Sequence, residues 1–501
     1  MKKIYGYAAL FAAMSLASCS SDNEPNVATG EMQKCYISVN LAVPTDTRAY
    51  NYEAGTAAES EVKSVTFVAF DAAGNYLSKT QPIEDFNWKK GTTGSIEYTS
   101  DNKVIELTKN GDATVGQIMA IVNCPTTLDI EKQSLDKLRK TVGEFKKTTL
   151  GNTEYFVMTN SAYGEGNYAT NFAGHVYDEV GKAVADPVPM YVERVASRVD
   201  VSQAETFNTN YEFDGKVDGD KTLKVNITGV EFIYAKDKAN LVKDIEGLTT
   251  ATAFDGWDAD QFRTHWAVDA TGATKIPLYY SMAKGLTGFS AYLNENVDQE
   301  MPTYVAVTGE LLLGDDKTTI YQLFNNSKYY TLEGVTNQLL GYLQLDGYKY
   351  VANETDEVAS GWADITAEDI EIVAGDEDYD GYVKINGKEG YKLVQGEKEL
   401  TNGYTIKEDK YRVYVWGGGN TYFYTKIAPE EQGNKAGVVR NHIYRLVFDK
   451  IGGIGTPLFD PDGELLPKTP DTTVDEGPMW YFNASINILK WTVYTQHVTF
   501  E

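Results

Sequence analysis

The residues best suited to chemistry by type and spacing are acidic. Asp376, Glu377, Asp378, Tyr379, Asp380 and Gly381 open like a calcium loop, in which alternating carboxylates and a glycine turn surround a hard cation. The twelfth position of that loop is Gly387, where a bidentate glutamate is required, so the run reads first as a solvated acidic loop and only second as a cation site. Asp460-Pro461-Asp462-Gly463-Glu464 is in the same way a turn before it is a ligand set. Gly417 to Gly419 is followed by neither GK[ST] nor a helix, which excludes a phosphate cradle and leaves a hairpin tip. His175, His265, His442 and His497 stand in separate contexts with no nucleophile pattern and no G-x-S-x-G elbow nearby. Carboxylates are numerous enough for a glycosidase pair, yet no two are singled out. No catalytic, cofactor-binding or metal-ligating residue is therefore assigned, and no cofactor is expected.

Composition narrows the classes further. The 501 residues carry 45 Lys and Arg against 72 Asp and Glu, a formal charge of −27, which argues against nucleic-acid binding because that requires basic surface. Cys19, Cys35 and Cys124 form neither a disulfide framework nor a paired zinc motif. With 42% apolar residues the chain can bury a core, and its 35 tyrosines and 44 glycines favour short strands joined by tight turns.

The N-terminus reads as processing signals. Lys2 and Lys3 precede an apolar run from Ile4 to Ala17, too short for a membrane span of about 20 residues, so residues 1–18 are expected to be an export signal. Leu16-Ala17-Ser18-Cys19 resembles the lipobox of bacterial lipoproteins, which would make Cys19 the lipidated first residue. A polar tether follows, and then Ile37, Val39, Leu41 and Val43 alternate along one face of a half-buried strand. Arg48 lies just beyond it in the polar loop Pro44 to Tyr50, either an ordinary solvated loop or a place where a trypsin-like protease can act.

The elements after this are mostly strands. Val65, Phe67 and Ala69 alternate, and 104–107 and 118–122 read as further strands. Leu135, Leu138, Val142 and Phe145 have helical spacing and predict one helix. Residues 190–201 alternate throughout. Leu223, Val225 and Ile227 change phase to Val230, Phe232 and Tyr234, which predicts a bulge at Gly229. Val413 to Trp416 and Tyr422 to Tyr424 are expected to pair as a hairpin across Gly417 to Asn420. Residues 347–403 are charged and weakly patterned, an insertion or an elaborated sheet edge. The expected fold is all-β, with two β-sandwich domains of transthyretin-like or Greek-key type and a few short helices. The expected division is 1–18 signal, 19–48 propeptide, 49–200 first sandwich and 201–501 second sandwich, ending in 484–501.

That last segment is β-prone to the final residue. Ile486 and Ile488 share a face, Leu489-Lys490 breaks the phase, and Trp491 and Val493 resume it. An apolar strand at a chain end needs a sheet edge to bury it. Together with the lipobox, the strand before Arg48-Ala49, the segment Val192-Glu193-Arg194-Val195-Ala196-Ser197-Arg198 and Val439-Arg440-Asn441-His442-Ile443-Tyr444, this end makes the chain resemble the fimbrillins, or type V pilins, and within them the shaft subunits of minor-fimbrium type. The resemblance implies a lipoprotein precursor held at the outer membrane through Cys19. It implies an arginine-specific surface protease that cleaves between Arg48 and Ala49, removing the strand of Ile37, Val39, Leu41 and Val43. It further implies a homopolymer built by donor-strand exchange through Ile486, Ile488, Trp491 and Val493, with accessory anchor and tip subunits, and a role in adhesion or biofilm contact.

The physics of that step stands on its own. Burying those four side chains is worth about 6 to 12 kcal/mol, comparable with the roughly 5 to 15 kcal/mol net stability of a whole domain. The competing reading is a glycan-binding surface lipoprotein that never polymerises, and an enzyme is more remote. Residues 1–48 contain four cationic and four anionic side chains, so the mature chain would keep its charge of −27. The N-terminal residue of the protein recovered from the cell surface separates the two main readings. Ala49 is expected for the pilin, whereas a chain still beginning at Cys19 supports the permanent lipoprotein.

Overall fold

A computed structural model describes residues 32–42, 51–90, 97–110, 113–164, 167–205, 207–248, 257–258, 263–281, 288–353, 360–429, 432, 435–467, 485–489 and 492–498. The described residues are mostly strands with three short helices, as the composition predicts. The strands that position the functional elements are β1 (Met32–Ala42), β2 (Val65–Phe70), β3 (Lys103–Asn110), β4 (Gln117–Val122), β5 (Met158–Asn160), β6 (Pro187–Arg194), β7 (Ser197–Gln203) and β8 (Lys221–Lys236). They continue with β9 (Lys275–Ser281), β10 (Phe289–Leu293), β11 (Tyr304–Leu313), β12 (Arg412–Trp416), β13 (Asn420–Lys426), β14 (His442–Phe448), β15 (Ser485–Leu489) and β16 (Thr492–Val498).

The first sheet runs β2-β4-β5-β6-β1, and β3 pairs with β1 on its far side. Its core places Val65, Phe67 and Ala69 of β2 against Ile118 and Ala120 of β4 and Ile37 and Val39 of β1. The alternation read across 190–201 is real but spans two strands. β6 ends at Arg194, Val195 and Ala196 step across, and β7 enters a second sheet, parallel to β14 and antiparallel to β10. A third sheet contains β8, β11 and β12, and β13 pairs with β11. Val199, Val201, Leu446 and Phe448 of the second sheet share a core with Val225, Val230, Val305 and Phe423 of the third. The predicted bulge is present, because β8 shifts register against β11 between Ile227 and Gly229.

Two expectations are corrected. The predicted helix over 135–145 is one turn, Leu135–Arg139, capped by Ser134. Val142 and Gly143 instead pair as a short strand with Ala239 and Asn240, and this tertiary pairing overrides the helical spacing. Leu135, Leu138 and Phe145 are nevertheless buried in one core. The second correction concerns β12 and β13, which do not pair with each other. β12 lies between Ile320–Leu323 and Asp380–Ile385, and β13 bonds to β11. Gly417–Gly419 forms a 3-10 turn between them, with Gly418 and Gly419 at positive φ. A Cβ on Gly417 would lie 2.0 Å from the Phe459 carbonyl oxygen, so the chain turns there against its own backbone.

The described residues of the weakly patterned 347–403 stretch, 347–353 and 360–403, form strands of two sheets. Asp380–Ile385 and Ile370–Ala374 form one end of the third sheet, while Tyr348–Ala352 and Tyr391–Gln395 belong to a separate four-stranded sheet. These pack with the helix Leu332–Leu345 around Leu339, Leu343, Tyr350 and Leu393. Thr331 caps that helix by accepting from the Gly334 amide at 3.3 Å, and its hydroxyl donates to Asp218 at 2.8 Å. Thr331→Ala is expected to lower stability by about 1 kcal/mol, read as a shift in the urea midpoint at unchanged slope.

Candidate strand-exchange site

β1 is an interior strand. It runs parallel to β6 in the register Ser38↔Pro187 to Ala42↔Tyr191 and antiparallel to β3 in the register Met32↔Asn110 to Val39↔Lys103. Ile37 and Val39 are fully buried and pack in one core with Ile105, Leu107, Met190 and Val192. Those two side chains alone are worth about 3 to 6 kcal/mol by apolar burial. Removing β1 would open a slot with two unpaired backbone edges and an apolar floor. Leu41 is placed by its backbone opposite Met190, whereas Val43, Arg48, Ala49 and Cys19 lie outside the described residues.

The C-terminal strands lie elsewhere. β15 pairs antiparallel with β14 in the second sheet, with Ile486 opposite Leu446 and Ile488 opposite Tyr444. β16 meets the ends of the same strand at His442 and Phe448, and Val493 pairs with Asn51, three positions after Arg48. Because β7 occupies one edge of β14, both C-terminal strands share the edge that remains. Trp491 is outside the described residues.

Between slot and C-terminal strands lies a buried ionic junction, built from the two segments that carried the resemblance. Asn441, in the left-handed region at φ 55°, donates its amide to the Ala196 carbonyl at 2.7 Å. Its side-chain oxygen accepts weakly from the Arg194 amide and guanidinium, each at 3.4 Å. Arg194 is buried and donates to both Glu97 carboxylate oxygens at 3.0 and 3.1 Å, to the Glu59 carbonyl at 2.8 Å and to Ser60 at 2.9 Å. Arg440, equally buried, donates to the Leu241 and Asn240 carbonyls at 3.1 and 2.7 Å and faces Glu295 at 3.4 Å. Lys243 joins Glu193 at 2.9 Å and the Thr264 carbonyl at 2.8 Å.

Environment sets the charge states here. Burial pushes the Glu59 carboxyl up, but the Tyr292 hydroxyl, the Thr56 amide and Arg198 together outweigh it and hold the group below its usual value. Burial raises Glu193 and lowers Lys243, each against the pull of its partner. His265 and His442 meet edge to face, with Nδ1 of the first 3.3 Å from Nε2 of the second. His442 Nδ1 lies 2.7 Å from the Arg440 carbonyl, which can only accept, so Nδ1 carries the proton and Nε2 accepts from His265. Burial, reinforced by nearby Lys243 and Arg263, lowers both imidazoles well below the usual histidine value. In the sequence these histidines stand in unrelated contexts, and nothing in their spacing of 177 positions pairs them.

The acidic loop also finds partners within the chain. Asp380 is fully buried against Arg412, and Asp376 bonds Lys407 at 2.6 Å, so both carboxylates already hold side-chain cations. His175 lies on the surface near Asp186, at 2.8 Å.

Residues 35–210 match the family model of the major fimbrial subunit protein FimA, and residues 411–497 match that of the fimbrillin C-terminal region, described as major fimbrial subunit protein type IV. The two matches together span just over half of the chain, including β1 from Cys35 onward, the junction segments, β15, and β16 up to His497. They define a structural subunit of a fimbria. The chain belongs to the fimbrillin family.

No curated protein matches the chain. Among solved structures it is similar to a fimbrilin (fimA) of Porphyromonas gingivalis W83, at 13% identity and TM-score 0.33 over 93% of this chain and 98% of that one. It is similar to the tip fimbrial protein Mfa3 of Porphyromonas gingivalis, at 11% identity and TM-score 0.32 over 90% and 99%. A Parabacteroides distasonis ATCC 8503 protein provisionally assigned to cell adhesion aligns at 14% identity and TM-score 0.38 over 90% and 96%.

The lowered imidazoles of the pair are expected to make stability depend on pH. A group whose folded pKa is depressed binds its proton more readily in the unfolded chain, so its contribution is complete above the unfolded value near 6.5 and is lost as pH falls below it. The raised Glu193 acts in the opposite sense. His442→Gln is therefore expected to flatten the fall in Tm between pH 6.5 and 5. An unchanged slope would show that the pair does not titrate there.

Proposed function

We propose that this fimbrillin is a shaft subunit that polymerises by donor-strand exchange. The observation that carries this reading is the position of β1, an interior strand paired on both edges, whose far end leads toward Arg48. Cleavage between Arg48 and Ala49 would separate β1 covalently from the body, leaving it held only by non-covalent contacts. The slot between β3 and β6 then accepts the C-terminal strand of the next copy, through backbone hydrogen bonds on both edges and pockets for alternate side chains. Head-to-tail contacts of this kind do not close on themselves, so they propagate a filament.

In this reading the precursor is an outer-membrane lipoprotein anchored through Cys19, and cleavage by an arginine-specific surface protease releases it from the lipid. Anchor and tip subunits terminate the filament, which serves adhesion or biofilm contact. In this reading the chain divides into two sandwich domains near residue 200, a boundary that falls within β7, a few residues after the chain leaves the first sheet at Arg194. Deletion of residues 484–501 should give a folded, cleavable protein that stays monomeric by light scattering. Filaments of normal length from that truncated chain would exclude the donor assignment.

A further inference from the structure

The walls of the β1 slot are not strands alone. β6 accompanies β1 only over Ser38 to Ala42. Successive residues of a strand direct their backbone groups to opposite edges, so Tyr36 addresses the same side as Ser38, below the point where β6 begins. That position is filled by Tyr177. The Tyr36 amide donates to the Tyr177 carbonyl at 2.7 Å, and the Tyr177 amide donates back to the Tyr36 carbonyl at 2.9 Å.

Tyr177 belongs to a strap between two fixed points. Phe172 is buried in the first core and its amide bonds the Gly116 carbonyl at 2.8 Å, while Pro187 begins β6. Between them the chain passes beneath Tyr36 and through the one-turn helix Val180–Val184, whose Val180 and Val184 are exposed. A single carboxylate closes the strap. Asp186 accepts from the Tyr177 hydroxyl at 2.6 Å and meets His175 Nδ1 at 2.8 Å. Both Asp186 and His175 are more than a third exposed, so the clasp is a surface feature outside the packed core.

We propose that the strap of residues 174–186 is part of the acceptor surface for the C-terminal strand of a second copy, with Tyr177 offering that strand the backbone pair it now gives Tyr36 and the Asp186 clasp governing how readily the slot opens. This rests on the donor-strand reading and adds to it a third wall and a gate. Asp186 is a positioning residue, acting through Tyr177. A strand entering or leaving the slot sideways must break the Tyr177 pair, and a strap released from Asp186 yields it more easily.

The test uses the full chain cleaved at Arg48 by an arginine-specific protease, with a fluorescent peptide of residues 484–501 as the probe. Asp186→Ala and Asp186→Asn are compared with the parent chain after checking that their uncleaved forms keep the parental Tm within a few degrees. Losing hydrogen bonds to a charged group should speed peptide uptake by about tenfold in both variants. It should also reduce hydrogen-exchange protection at Tyr177 before cleavage. Equal uptake rates with unchanged protection at Tyr177 would overturn the role of the strap while leaving strand exchange intact. Failure of the cleaved parent and both variants to take up peptide would overturn the donor-strand reading and this inference with it.

Discussion

Arg194 and Arg440 are the constraint on which the other parts of the molecule depend. Two guanidinium groups without solvent contact are tolerable only if their donors find acceptors, because an unpaired buried charge carries a desolvation cost of several kcal/mol. Those acceptors come from far along the chain. Glu97 and the Glu59 carbonyl serve Arg194, and Glu295 with the Asn240 and Leu241 carbonyls serve Arg440. The Nε of Arg440 has no hydrogen-bond partner among the described residues, but the pairs the two guanidinium groups do make fix where β6 ends, where β7 begins and where β14 lies beside it. Such a junction specifies geometry more than it adds stability, since an apolar replacement of equal volume is often no less stable.

The geometry so fixed bears on the polymer proposed above. The slot of β1 is in the first sheet, while β15 and β16 rest on β14 in the second. In the strand-exchange reading proposed above, a junction that fixes the distance between acceptor and donor within one subunit would set the step from one copy to the next in an unclosed head-to-tail assembly. An interior strand also gives more than an edge strand would. It is bonded on both sides and contributes buried Ile37 and Val39, so any strand that takes its place inherits two ladders and a core. The charge of −27 would then be repeated along the exterior of each subunit.

Much of this was legible in the residues. The alternation of β1, the phase change at Gly229 and the apolar C-terminal strands follow from a period of two, a local property that burial on one face enforces. What could not be read were outcomes of competition between distant partners. Val142 left its helical pattern because Ala239 and Asn240 offered a strand pairing. β12 and β13 are each buried along most of their length and each pair with other strands, so their nearness in sequence across Gly417 did not make a hairpin. The helix Leu332–Leu345 carries a local signal, with buried Val335, Leu339 and Leu343 at helical spacing after the Thr331 cap, whereas the sheet around Tyr350 does not, since a charged and Gly-rich surface conceals a core assembled from widely separated side chains.

The sequence by itself determined the all-β class, the acidic exterior, the two terminal apolar strands and the arginine between the first strand and the body. Each of these is set by local periodicity or composition, which requires no knowledge of what lies opposite. The tertiary structure alone decided that β1 is an interior strand, that His265 meets His442 and that Tyr177 extends the wall beyond β6. Which edge a strand presents, and to what, depends on long-range pairing. That pairing is selected by the buried charges at the junction and the cores on either side, and both exist only once the whole chain has folded.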